Sequence, residues 1–295
     1  RVPRVIEAYE NLTRLEASAP LFVKLGSLYE LRGKADKAVA TYRAALDISP
    51  GDTFVRERIV DVYIDEGLEA GKRADTELAQ AHFDRALDEM DALVSATNSV
   101  RILMKHGLLH ELTERYGEAL DIYRRAIDRD PSLADAHLRA SHVHYELGEQ
   151  AARKGRVETA QHHFVSAAEG ITAAGDHELL TPEVLNFAAY AFARAGMHLD
   201  TAEEFINRAL TEDAQNGAYI DTLGWIYFKK GRLDDALVNV RKALEIEGDD
   251  PVIADHLGEI YLKLGQPEKA KEMWEKSLQL DADNEDVKRK LDSLP

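Results

Sequence analysis

His106 and His110 lie four residues apart, the spacing that sets two imidazoles on one side of a helix and within reach of one metal ion. The segment HELTE that begins at His110 lacks the second histidine of a zinc-protease helix. The acidic run DADNED at 281–286 alternates carboxylates but has neither the glycine nor the terminal glutamate of a calcium loop. It reads as a turn followed by a helix cap. There is no phosphate loop, dinucleotide fingerprint or serine-centred elbow. With no cysteine in 295 residues, disulfides, thiol nucleophiles and cysteine-ligated metals are excluded. The 54 acidic residues make neighbouring carboxylates uninformative about acid–base catalysis. No catalytic residue, metal ligand or cofactor is therefore expected, and the chain does not read as an enzyme.

The elements that would carry these residues are helical by composition. Alanine and leucine recur throughout, and aromatics make up only 7%. A net charge of −17 would repel phosphates, which argues against nucleic acid and leaves partners with basic segments open. The longest apolar run, Val184 to Ala193, is about half of a membrane span and ends at Arg194. The chain begins at Arg1 with no signal-peptide pattern. It reads as a piece of a longer protein.

Internal self-similarity decides the architecture. Three segments align without gaps: one ending at Pro50, one running from Gly217 to Gly248, and one from Pro251 to Ala282. Each has a Leu-Gly pair (Leu25-Gly26, Leu223-Gly224, Leu257-Gly258) followed three residues on by Tyr29, Tyr227 or Tyr261. A turn glycine follows at Gly33, Gly231 and Gly265, then Ala38, Ala236 and Ala270, then a bulky residue at Tyr42, Val240 or Trp274. Two antiparallel helices account for this pattern. The small residue at Gly26 lets the second helix cross closely, with Ala38 as the matching small surface. The later glycine ends the first helix in a left-handed turn. The sequence resembles the tetratricopeptide repeat family over nearly its whole length.

In that register, weaker copies emerge at 100–133 and 182–216, beside strong ones at 19–52, 217–250 and 251–284. Two copies, 53–93 and 134–174, each carry seven additional residues ahead of Ala79 or Ala160. Seven residues are about two helical turns, so a helix can lengthen without rotating its buried face. The expected fold is all-α: a right-handed superhelical solenoid of antiparallel helix pairs, about seven repeats with capping helices. Residues 1–18 form a partial repeat helix and 285–295 a polar capping helix. Non-repeat stretches fall at 94–99 and 175–181. The second, followed by Thr181 and Pro182 as helix-start signals, is read as a joint between arrays at 19–174 and 182–284. His106, His110, His137 and His144 all fall on packing positions between the third and fourth repeats.

The resemblance also implies a function. In this family the first helices line a concave surface, which the fifth, ninth and twelfth repeat positions face. Here those positions gather Leu138, His142, Tyr145, Asn186, Tyr190, Asp221, Trp225, Phe228, Asp255 and Glu259. Aromatics beside an amide and carboxylates suit a protein or peptide segment, the amide bonding backbone and the acids meeting Lys or Arg. The alternative for Trp225 and Tyr190 is plain packing between repeats. The fifth and ninth positions hold no lysine or arginine, so a clamp for a peptide's C-terminal carboxylate is not expected.

The stretches LNFAAYAFARAG at 185–196, IDTLGWIYFKKGR at 220–232 and DPVIADHLGEIYLKLG at 250–265 are similar to bacterial envelope lipoproteins of the same family. That resemblance implies a bacterial origin and the periplasmic side of the envelope. The leading expectation is a non-catalytic scaffold that binds a protein segment and organises an assembly. Two others remain open: an envelope adaptor that tethers a processing protease and presents substrates to it, and an accessory region of a larger enzyme. Exposed edges at both ends of the array are compatible with a homo-oligomer.

Overall fold

The computed structural model describes residues 2–97, 99–175 and 180–294. Every regular element among them is a helix. The chain divides into two compact units, residues 1–131 and 132–295. The first contains α1 (Val2–Leu15), α2 (Ala19–Glu30), α3 (Ala35–Ile48), α4 (Thr53–Lys72), α5 (Thr76–Ala96), α6 (Val100–Leu112) and α7 (Tyr116–Arg129). The second contains α8 (Ala134–Arg153), α9 (Val157–Ala174), α10 (Pro182–Ala195), α11 (Leu199–Glu212), α12 (Gly217–Lys229), α13 (Leu233–Glu247), α14 (Pro251–Lys263), α15 (Pro267–Leu280) and α16 (Glu285–Asp292). From α2 to α15 the helices pack as seven successive pairs, and each pair also packs on its neighbour within its unit. This is a helical-repeat solenoid.

The expected close approach at the glycine is present, provided by a ring in five pairs and by Val240 on Gly224 in another. A Cβ added at Gly26 would stand 2.6 Å from Cε1 of Tyr42, so the fully buried Tyr42 ring lies directly on the glycine. Ala38, expected to be the matching surface, is buried beside it. The same seat recurs with Phe83 on Gly67, Tyr123 on Gly107, Phe164 on Gly148 and Trp274 on Gly258. In the two lengthened repeats, α4 and α8 each run 20 residues. Their glycine seats have moved along the helix with the insertion, so the buried face keeps its register. The second helices lengthen too, α5 to 21 residues and α9 to 18.

The expected interruption at 94–99 is smaller than the repeat pattern implies, because α5 continues through Ala96. Part of the expected joint at 175–181 falls on 176–179, outside the described residues. Ile171 of α9 and Leu185 of α10 belong to one core of the second unit. Thr181 does cap α10, accepting from the Val184 amide, and Pro182 opens the helix. In the acidic run, the cap is the amide Asn284, which accepts from the Val287 N–H at 3.2 Å. No described helix is long and apolar enough to cross a membrane.

Candidate functional site

In the second unit, α8, α10, α12, α14 and α16 are the first helices of successive pairs or their continuation. They bring the inner-face residues together. Trp225 stacks on His256, ring centres 4.0 Å apart and 14° from parallel, and on its other neighbour Phe228 at 4.8 Å. His256 Nδ1 is 2.9 Å from Asp221 Oδ2, and its Nε2 is 3.2 Å from the Tyr190 hydroxyl. Burial pushes the Tyr190 hydroxyl far above the ordinary phenol value, so it keeps its proton, while the Asp221 carboxylate accepts from His256 Nδ1–H. A carboxylate–imidazole–hydroxyl order can also activate a nucleophile. Here His256 is 1% exposed and the phenol is pushed up, so the chain ties α10, α12 and α14 together.

The wall continues toward α8. Tyr145 meets Tyr190 and Phe187 edge-on, at 5.9 and 5.5 Å. His142 meets Phe187 at 5.6 Å and keeps 46% of its side chain exposed. Leu138 packs half-buried against the same core. Arg194 lies 4.5 Å over the Phe164 ring and 3.3 Å from Glu149. The ten expected residues therefore share one face but divide by depth. Asp221 and Trp225 are buried, whereas Leu138, His142, Tyr145, Asn186, Tyr190, Phe228, Asp255 and Glu259 are partly accessible. The Trp225 indole N–H and the Asn186 amide oxygen are buried with no hydrogen-bond partner among the described residues.

The carboxylates expected to meet a partner's cation already hold one from the chain itself. Lys290 of α16 places Nζ 2.8 Å from Asp255 Oδ2, 2.8 Å from Glu259 Oε1 and 3.0 Å from Asp286 Oδ2. Burial would raise the Glu259 carboxyl, but Lys290, Lys229 and His256 together outweigh it and hold the group below its ordinary value. Asp255 also accepts from the Trp274 indole at 2.9 Å. Arg289 donates to the Gly155 carbonyl at 2.7 Å, and Arg153 pairs with Asp281 at 3.0 Å. These contacts bring the C-terminal helix onto the first pair of its unit. Between them lies a cavity of about 210 Å³ bordered by Phe164, Arg194, Trp225, Lys229, Glu259 and Lys290.

In the first unit, the corresponding positions of one repeat, Glu57 and Asp61, are acids already paired with neighbouring cations. Glu57 takes Arg101 and Lys105, and Asp61 takes Arg58 and Lys105. The histidines that opened the chemical reading meet at this unit's packing face, with Nε2 of His106 3.0 Å from Nε2 of His110. Burial first, then His110, pulls His106 down to about 4, and burial lowers His110 as well. Among the described residues, no three His, Asp or Glu are grouped to hold a metal.

Comparison with known proteins agrees with the fold. Family models described as Tetratricopeptide repeat match residues 1–101, 72–134 and 227–294, together more than half of the chain. The chain belongs to the tetratricopeptide repeat family. No curated protein matches it. Among solved structures it is similar to the C-terminal part of a tetratricopeptide repeat-containing protein from Cytophaga hutchinsonii. That match has 14% identity and a TM-score of 0.54, covering 91% of this chain and 99% of the other. It is also similar to a tetratricopeptide repeat protein from Parabacteroides merdae, with 15% identity and a TM-score of 0.52, covering 93% and 97%. At these identities the likeness is one of fold.

Three tetratricopeptide positions that the sequence pattern passed over complete the face: Phe187, His256 and Lys290. All sit at the sixth repeat position, one residue beyond the fifth. The signal was present but broken, since an aromatic, an imidazole and an ammonium occupy that position in three repeats while Thr222 holds it in the repeat between Phe187 and His256. Arg194 escaped notice because it follows the twelfth position, where a solvent-facing cation is the ordinary reading.

Proposed function

We propose that this protein is a non-catalytic interaction scaffold whose second unit takes up a segment of another protein on its inner face. The tetratricopeptide fold commonly mediates protein–protein interaction. The observation that carries the finer reading is the composition of this face. Partly accessible aromatics on α8 and α10 adjoin two carboxylates that already hold a lysine. Aromatic anchors beside charges that take up a cation are the mixture that concentrates binding energy. Among the described residues, the Trp225 N–H and the Asn186 carbonyl are buried polar atoms of this face without a hydrogen-bond partner. The aromatics give adhesion, the acids favour a basic residue, and the rigid helices behind them keep the surface preformed.

Trp225 is too deep for a clean test, since its removal would also open the core. The rim is better suited. The full chain carrying His142→Ala and Phe228→Ala, used as bait beside the unaltered chain, is expected to lose at least tenfold in recovery of its partners while melting within a few degrees of the original. Unchanged recovery from a folded double variant would remove the inner face of the second unit from consideration.

A further inference from the structure

We infer that α16 is a built-in stand-in for the partner, and that the site it covers fits a short amphipathic helix carrying a lysine with an apolar residue three positions before it and another directly after. This deepens the scaffold reading above and rests on it.

The chain's own segment shows what the face accepts. In α16, Val287 is fully buried against Trp274, with Leu291 packed beside it, and Lys290 enters between Asp255 and Glu259. The order Val287, Lys290, Leu291 places these three on one side of a helix, because residues three and four apart are neighbours there. The opposite side is polar. Asp255 and Glu259 project from α14, so whatever covers them must supply a cation. Removing Lys290 without replacing it would strand two half-buried carboxylates side by side. An occupant must therefore bring its own cation, which sets the partner's chemistry.

The hold of α16 is slight compared with that of its neighbours. It has eight residues, one of them buried, whereas α14 has thirteen with six buried. A helix of eight residues does not persist alone in water, so α16 forms only on this surface. Its other ties are exchangeable: Arg289 to a backbone carbonyl of Gly155, and Arg153 to Asp281 in the preceding turn. Local opening costs least where a helix is short and lightly buried, as α16 is. It exposes Asp255 and Glu259 beside the cavity at Trp225.

The test uses a fluorescent peptide with the sequence of residues 283–294, DNEDVKRKLDSL. It is titrated onto the full chain and onto the full chain carrying Val287→Asp, which unseats α16. The opened chain is expected to bind the peptide at least tenfold tighter than the unaltered chain. A peptide with Lys290→Glu, or an opened chain also carrying Asp255→Asn and Glu259→Gln, is expected to lose that gain. Equal binding by both chains, or equal binding of the charge-reversed peptide, overturns the inference. Should Val287→Asp fail to fold, hydrogen exchange on the unaltered chain decides. The α16 amides are expected to exchange at least a hundredfold faster than those in the centre of α15, and equal protection overturns it. If the peptide result fails while the rim variants still lose partners, only the stand-in falls. If the peptide binds as expected and the rim variants keep every partner, the scaffold reading of the rim falls.

Discussion

The indole of Trp225 lies parallel to the imidazole of His256, 4.0 Å away, and that imidazole is held by Asp221 on one nitrogen and Tyr190 on the other. Four side chains from three successive first helices thus act as one unit. Removing one leaves polar atoms buried without partners. Asp221→Ala is expected to cost about 1–3 kcal/mol, the penalty for orphaning a buried donor. Urea unfolding followed by Trp fluorescence measures it. A loss under about 0.5 kcal/mol, the usual size of a surface substitution, would mean that the network does not hold the wall.

The ring-on-glycine seats make a second, independent claim. At Gly26 a methyl group would press on Tyr42 at 2.6 Å. Both residues are buried, and Tyr42 is further fixed through its hydroxyl to Glu30 at 2.8 Å. Overpacking costs about 1–3 kcal/mol, against about 1 kcal/mol gained from the helix preference of alanine over glycine. Gly26→Ala is therefore expected to be net destabilising, by up to about 2 kcal/mol. A stabilised variant in thermal melts would show that the seat is looser than the structure has it.

Turns that lack the glycine offer the opposite change. Gly33, Gly231 and Gly265 all take positive φ, as their place after the first helix requires, but Glu114 occupies the equivalent turn with φ 56°. A side chain in this conformation costs about 1–2 kcal/mol relative to glycine. Glu114 is exposed, so Glu114→Gly is expected to raise stability by about 1 kcal/mol, readable as a higher urea midpoint at unchanged slope.

The paired histidines of the first unit set a pH limit. The folded protein holds His106 near 4 by burial, against 6.5 for the free side chain, so the unfolded chain takes up the proton first. Stability is then full above pH 6.5 and falls as the pH drops toward 4. Asp91, His110 and Arg125 are the charged or titratable groups that also act on His106. His106→Leu is expected to flatten this acid limb between pH 6.5 and 4. An unchanged slope in that variant would place the acid sensitivity elsewhere.

The fold was legible because its signals are redundant. Leu-Gly, the turn glycine and the small residue after it recur together, and even copies with Ala74, Glu114 or His198 near the glycine position keep the turn. The inner face was legible as a surface but not in depth. Periodicity assigns a residue to a side of its helix. It cannot say that Trp225 would be roofed by His256, since that depends on how tightly successive first helices approach. Nor can it show the cation meeting Asp255 and Glu259, because Lys290 lies in a segment whose polar composition marks it only as a cap. Pairing across helices, unlike periodicity within one, leaves no local trace.

The most direct measurement is site-specific photo-crosslinking of the full chain in cells of its source. A benzophenone side chain would be placed in turn at position 142, 187 or 228 on the inner face of the second unit, and at position 238 on α13, where Val238 is 67% exposed. The scaffold account predicts that one and the same protein crosslinks from the three inner positions and not from 238. Crosslinks that form equally from 238, or only from there, would contradict it.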